Sequence, residues 1–397
     1  MRGTEPPCAE IRGLAGVCTT VRGGPWVKQH IILLIAIALT TASVAQEQQY
    51  LYTNDNVANK PNSSTALKVS AKGLITLIKT YPTGGKSSGA GAYFASQPIA
   101  YATVGKKSCL FVSNGGDSTI TAFTINSQNG TLTLVKGSPF SYGVSGDQSM
   151  GVSLATGNNK LLFAGNSKDN SISVLKISST CALKSSSSVS LSFSPVDLKA
   201  TPNGKYLVAT YMGPIDSFKI DYGNGTLTEL GPFSSSGSAA GLDITCDSTT
   251  VYFGDAATHT EIESYRIISS GKLKELGNFR NIRGSNSNNV MLSKDQTKLY
   301  VTNNQSNEIT VLAVGHNGVE FFDGIAKLRN PGKFAAALAQ SKTGTQVYVS
   351  EARTEESIGV LIPTKSSLKE VANSPFGIIE NGFSPAGLIA VPSFSCK

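Results

Sequence analysis

The chain has 397 residues, with 34 Lys and Arg against 26 Asp and Glu, a formal charge of +8 and a sequence pI near 9.0. Charged residues make up only 15%, against about 25% in ordinary soluble proteins, while Gly reaches 40. That composition argues for short strands and many tight turns rather than helices, and the scattered lysines leave no clustered footprint for a nucleic acid.

The first readable element is a leader. Residues 31–40, IILLIAIALT, follow Lys28 and precede the small residues Ser43-Val44-Ala45. A charged flank, a short apolar core and a small-residue site form a secretory signal, with cleavage expected after Ala45. The apolar stretch is too short to span a bilayer, which takes about 20 residues. Residues 1–45 are therefore expected to be a signal peptide and 46–397 the mature domain, secreted or periplasmic, with no transmembrane segment left. Removing four basic and two acidic residues leaves a mature charge of 8 − 2, or +6. Cys8 and Cys18 go with the leader. Cys109, Cys181, Cys246 and Cys396 remain, which allows disulfides in an oxidising compartment with three complete connectivities. They lack CxxC spacing, so no zinc site is expected.

A repeat fills the rest. Short alternating apolar runs recur as YLYTN (50–54), LFVSN (110–114), LFAGN (162–166), LVATY (207–211), VYFGD (251–255), LYVTN (299–303) and VYVSE (347–351). Their last residues lie 60, 52, 45, 44, 48 and 48 positions apart. A second strand follows each run, as in STITAFTI (118–125) or EIESYRI (261–267). A hairpin then leads to a third strand such as TLTLV (131–135). Another strand precedes each run, as in GVSLA (151–155), PVDLKA (195–200), GLDIT (241–245) and NVMLS (289–293). Four short strands at this period predict an all-β, seven-bladed β-propeller with four antiparallel strands per blade. The chain opens at Tyr50 on a second-position strand and ends on SPAGLIAVPS (384–393), which matches an innermost strand. The C-terminal strand is thus expected to close the ring by completing the first blade. The Gly-rich GGKSSGAGAY (84–93) reads as an inter-blade loop.

The runs LYVTN and LFVSN, the hairpin QNGTLTLV and the SPF at 138–140 and 374–376 resemble the lactonase-type seven-bladed propellers with YVTN-like repeats, the group that includes the 6-phosphogluconolactonase propellers. The resemblance covers about residues 48–397. It implies an Arg- and His-bearing GPRH-like motif before one innermost strand. Here that stretch holds Ser238, Ala239, Ala240 and Gly241. The family's His-Ser pair in the preceding blade is also missing from 194–216. Lactone opening needs a group that activates water and donors that stabilise an oxyanion. No catalytic residue carries over.

Other chemistry is sparse. The histidines are His30 in the leader, His259 in a turn and His316 in a hairpin. His259 with Glu261 or Glu263 would be the remaining general base, against the simpler reading of an exposed turn residue. Asp/Asn clusters such as 53–56 and 167–170 lack the ligand alternation of a calcium loop. The last residues of the runs, Asn114, Asn166, Tyr211, Asp255, Asn303 and Glu351 together with Asn54, should recur on one face and form a candidate ligand-binding ring. Their other reading is the capping of strand ends. Cys109 and Cys396 each stand 11 residues after an equivalent Pro, Pro98 and Pro385, on neighbouring blades, and a disulfide between them would pin the closure. No cofactor, metal or nucleic acid is expected. The chain is expected to be a monomer whose partner is an unidentified ligand or protein. Two functions compete: a non-catalytic exported propeller that binds on one face, and a lactone hydrolase using other residues.

Overall fold

A computed structural model describes residues 48–56, 60–89, 96–144, 152–233, 239–255, 261–280, 286–303, 306–315, 317–329, 334–352, 357–377, 387–394 and 396. The predicted leader lies outside them. The described strands form seven antiparallel sheets, each a blade running outward from an inner strand. Blade 2 is representative: Ile99–Val104, Lys107–Asn114, Thr119–Ile125 and Leu132–Leu134 pair in sequence order. The inner strands of blades 3 to 7 are Val152–Gly157, Pro195–Ala200, Ala239–Ile244, Ser287–Leu292 and Phe334–Gln340.

The alternation in the sequence builds the interfaces. In Lys107–Asn114, Cys109 and Phe111 face blade 3, whereas Leu110 and Val112 face blade 1. Each pair of neighbouring blades encloses its own apolar cluster, seven around the ring. A single sheet has two apolar faces and would be insoluble alone; stacking buries both.

Closure is as expected. The C-terminal strand Gly387–Val391 pairs antiparallel with Gln49–Asn54, from Tyr50 opposite Val391 to Asn54 opposite Gly387. Blade 1 thus combines the last strand with Gln49–Asn54, Pro61–Val69 and Ile75–Lys86. Gly84 to Lys86, expected in a loop, extend this outer strand instead, with Lys86 opposite Pro61 after a break in register.

The SPF segments divide the outer strands of blades 2 and 7. Phe140–Ser141 and Phe376–Gly377 each return to pair with the third strand after a break. Pro cannot donate to a ladder. The Ser before it compensates: Ser374 Oγ accepts from Val360 N at 2.8 Å, and Ser138 Oγ accepts from Ala122 N at 3.1 Å.

The cysteine pairing differs from the expected Cys109–Cys396 bond. Cys109 bonds Cys181, and Cys246 bonds Cys396. The side-chain alternation points Cys109 toward blade 3, where Cys181 lies in the same cluster. The chain after Val391 cannot turn back into a second strand as blade 2 does, because Gln49–Asn54 already holds that place. It runs across the ring to blade 5.

Candidate functional site

The run-end residues are placed first. Asn114, Asn166, Tyr211, Asp255, Asn303 and Glu351 all lie at the ends of second strands and are at most 2% exposed. Four of them hydrogen-bond to neighbouring strands. Asn114 Nδ2 donates to Thr119 Oγ1 at 3.0 Å and Thr121 Oγ1 at 2.9 Å, and Oδ1 accepts from Asn62 of blade 1 at 3.0 Å. Asn166 Nδ2 reaches Ser171 and Ser173 at 3.0 Å each, Asn303 Nδ2 reaches Thr310 at 2.8 Å, and Glu351 Oε2 accepts from Ser357 at 3.1 Å. Tyr211 packs its ring near Phe193, with centroids 6.4 Å apart. In blades 2, 3, 6 and 7 these side chains tie the second strand to the start of the third. A ligand on that face would meet the segments they hold. His259 and His316 lie outside the described residues.

The seven inner strands surround a central cavity of about 340 Å³. Its wall mixes apolar and polar surface in nearly equal shares, with Leu154, Leu242, Met291, Leu338 and Ile389 among the apolar lining residues and Gln97, Thr156, Asn289 and Gln340 among the polar ones. Its charged lining residues are Asp197 and Lys199 on Pro195–Ala200 and Asp243 on Ala239–Ile244. Lys199 Nζ lies 2.5 Å from Asp243 Oδ1, and the two side chains are 46% and 10% exposed, so the lysine opens into the cavity more than the acid does.

The carboxylates are held by backbone amides. Asp197 Oδ1 accepts from Leu198 N at 2.9 Å, and Oδ2 accepts from Leu242 N of blade 5 at 2.9 Å. Asp243 repeats the pattern one blade on: Oδ1 accepts from Ile244 N, and Oδ2 accepts from Leu292 N of blade 6, both at 2.8 Å. Ser153 begins the series by donating to Val196 O at 2.5 Å. Inner strands have one unpaired edge, and these side chains satisfy part of it. Burial pushes the Asp197 carboxyl up to about 7, against the lowering pull of the two amides and of Lys199, with Asp243 adding to the rise. The pairing with Asp243 and the field of Asp197 raise the Lys199 ammonium despite its desolvation, so it stays charged.

The two ends of the cavity are built differently. At the end where inner strands begin, Ser96 N donates to Val196 O of blade 4 at 3.1 Å, and Asn289 Nδ2 of blade 6 donates to Ser96 O at 3.2 Å. Leu154 N of blade 3 donates to Gln97 O at 2.8 Å. This segment therefore reaches across the channel and floors it. At the other end, Ser393, Phe394 and Cys396 of the tail line the cavity. Among the described residues no group of three or more His, Cys, Asp or Glu is arranged to hold a metal ion.

Lys199 and Asp243 were not among the residues singled out from sequence. The signal was present in PVDLKA and GLDIT, where an Asp flanked by apolar residues occupies the same place in two consecutive inner strands.

Comparison with known proteins agrees with this architecture. The family model described as lactonase, 7-bladed beta-propeller, matches residues 102–231 and 205–321. A candidate 6-phosphogluconolactonase from Bacteroides fragilis is similar in structure with a TM-score of 0.71, at 18% identity over 88% of this chain and 99% of that one. One from Bacteroides uniformis gives 0.70, at 14% identity over 87% and 100%. The periplasmic gluconolactonase of Pseudomonas aeruginosa gives 0.66, at 15% identity over 86% and 99%. At such identities the likeness concerns the fold. No curated protein matches the sequence. The chain belongs to the seven-bladed β-propeller lactonase family.

Proposed function

We propose that this chain is an exported member of the family that binds a small ligand in its central cavity without hydrolysing it. The observation that carries this reading is the state of the cavity's ionisable groups. Asp197 is engaged by two backbone amides, and Asp243 by two amides and Lys199. A hydrolase needs a base aimed at water and cationic or amide donors aimed at the oxyanion. Here the one lysine of the wall is drawn to a carboxylate, and the Arg and His expected by resemblance are replaced by Ser238, Ala239, Ala240 and Gly241. A wall of mixed apolar and polar surface suits recognition of a small polar molecule. Lys199 retains donors beyond the one given to Asp243, and with the Asp197 carboxyl pushed up to about 7 the trio is between neutral and singly negative at neutral pH, which favours a neutral or cationic ligand over an anion. Export is supported by the leader and by two disulfides, which persist in oxidising compartments.

The competing reading is lactone hydrolysis, favoured by what the similar structures are called and by an Asp197 carboxyl that titrates near 7. A partner docking on the face marked by Asn114, Asn166, Tyr211, Asp255, Asn303 and Glu351 is a third outcome. Purified protein should release acid from 6-phosphogluconolactone and simple sugar lactones no faster than buffer does. Robust turnover lost in Asp197→Asn, Asp255→Ala or His259→Ala would reinstate the enzyme. A thermal-shift screen of neutral and cationic small molecules should yield a stabiliser whose effect disappears in Lys199→Met.

A further inference from the structure

The C-terminal tail has two unusual properties. It leaves blade 1 at Val391 and ends bonded to Cys246 in the turn after the inner strand of blade 5. Blades 1 and 5 are as far apart as a seven-membered ring permits. Five residues reach at most about 17 Å when extended, so the tail must run nearly straight across the channel mouth rather than around its rim. On the way Ser393 bridges Ser341 of blade 7, and Gln49 Nε2 donates to Pro392 O at 3.2 Å. Phe394 lies over the cavity, among its lining residues.

The second property concerns the disulfides. Cys109 and Cys181 are both 0% exposed in a blade interface. Cys246 and Cys396 are partly exposed. Thiol–disulfide exchange requires a thiolate to reach a sulfur, so access separates the two bonds. The opposite end of the channel is floored by Ser96 and Gln97. The tail is therefore the cover over the described mouth of the cavity.

We propose that the tail from Pro392 to Cys396 is a redox-latched strap that gates the central cavity, and that an extracytoplasmic dithiol opens it by reducing Cys246–Cys396 while Cys109–Cys181 stays intact. The dithiol's thiolate attacks one sulfur of the bond and forms a mixed disulfide. Its second thiol closes on the first, leaving two protein thiols and an oxidised, cyclic reductant. Freed of its anchor, the tail is left with the Ser393 and Pro392 contacts among the described residues, and Phe394 swings into solvent. As a regulatory device the gate rests on the cavity being the ligand site, but its test needs no ligand.

Two measurements decide it. The first uses Lys199→Cys, a cavity-lining position whose side chain is 46% exposed, as the target of a small uncharged maleimide. Labelling should run at least tenfold faster in Lys199→Cys with Cys246→Ser and Cys396→Ser than with the latch intact, while circular dichroism and the unfolding transition show both proteins folded. Equal rates would overturn the gate. The second covers the case in which those variants fail to fold. The one Trp of the chain, Trp26, falls in the predicted leader, so Phe394→Trp gives the mature protein a single emitter on the strap. Under native conditions a dithiol should reduce Cys246–Cys396 first, as read by differential alkylation and peptide mass. The indole emission of the Phe394→Trp protein should then shift to the red and become several-fold more quenchable by acrylamide. Simultaneous reduction of both bonds, or unchanged emission after Cys246–Cys396 has opened, would sink the proposal. Failure to find a ligand would count against the cavity reading only.

Discussion

Gly130 sits at φ +75°, and a Cβ there would collide with the Tyr50 ring of the neighbouring blade. Tyr50 and Tyr52 close on the same hairpin by donating to Gln128 O and Gly130 O, both at 2.9 Å. Gly271 repeats the arrangement against Tyr206, at φ +84°. Gly130→Ala should therefore lower stability by more than about 1 kcal/mol, since both backbone and space oppose it. A urea midpoint equal to wild type would contradict the argument. Two buried acids make a second prediction at this scale. Burial raises Asp197 to about 7, and it raises Asp55 to about 6 despite hydroxyl donors from Thr53, Ser63 and Thr65. The sign follows from proton uptake. Between the unfolded value near 4 and these folded values, the folded chain binds more protons than the unfolded one, so stability falls as pH rises from about 4 to about 7. Asp197→Asn should flatten that slope in unfolding free energies measured across the range. An identical slope in the variant would mean that Asp197 is ionised throughout.

Among the elements, the strand Gly387–Val391 carries the most consequence, because it joins residues more than 300 positions apart and removes the open edge of blade 1. Deleting residues 384–397 should abolish the cooperative unfolding transition. Loss of the Cys246–Cys396 bond is a separate effect, so the Cys246→Ser, Cys396→Ser protein is the reference. A truncation as stable as that reference would show that the ring closes elsewhere. The SPF breaks are tied by serine. Besides accepting from Val360 N, Ser374 Oγ donates to Glu370 Oε1 at 2.7 Å, while Glu370 Oε2 accepts from Arg329 N at 2.9 Å. Ser374→Ala leaves a buried backbone donor unmet and should cost about 1–3 kcal/mol by denaturant titration. A smaller loss would mean that the break relaxes enough for Val360 N to find another acceptor.

For the whole molecule, the energetic weight lies between blades, and the covalent links follow that pattern. Cys109–Cys181 ties blade 2 to blade 3 across 72 residues, and Cys246–Cys396 ties blade 5 to the tail across 150. Each constrains the unfolded chain and should stabilise by about 2–4 kcal/mol. Protein made in an oxidising compartment should therefore unfold at distinctly higher denaturant than the same protein fully reduced. Coincident transitions would show that the ring needs neither bond. The proposed function rests at this scale on one channel with a floor at one end and a tethered tail at the other.

The number of blades, the order of strands, the closing strand and the family were legible in the sequence, because each rests on local periodicity. Alternation of period two marks a strand, four strands at a spacing of 44 to 60 residues mark a blade, and seven runs mark the ring. Tertiary structure alone decided which cysteines meet. The direction of Cys109 follows from alternation, but its partner depends on which hairpin a neighbouring blade swings toward it, and Cys396 depends on the place already taken by Gln49–Asn54. It also separated polar residues that look alike in sequence. Asn114 and Glu351 end their runs as a ligand ring would, yet Asn114 bonds Thr121 of its own blade and Asn62 of blade 1, and Glu351 bonds Ser357. Asp197 and Asp243 sit mid-strand where a core residue is expected, yet they face the channel, because the innermost strand of a propeller has one edge that no strand covers.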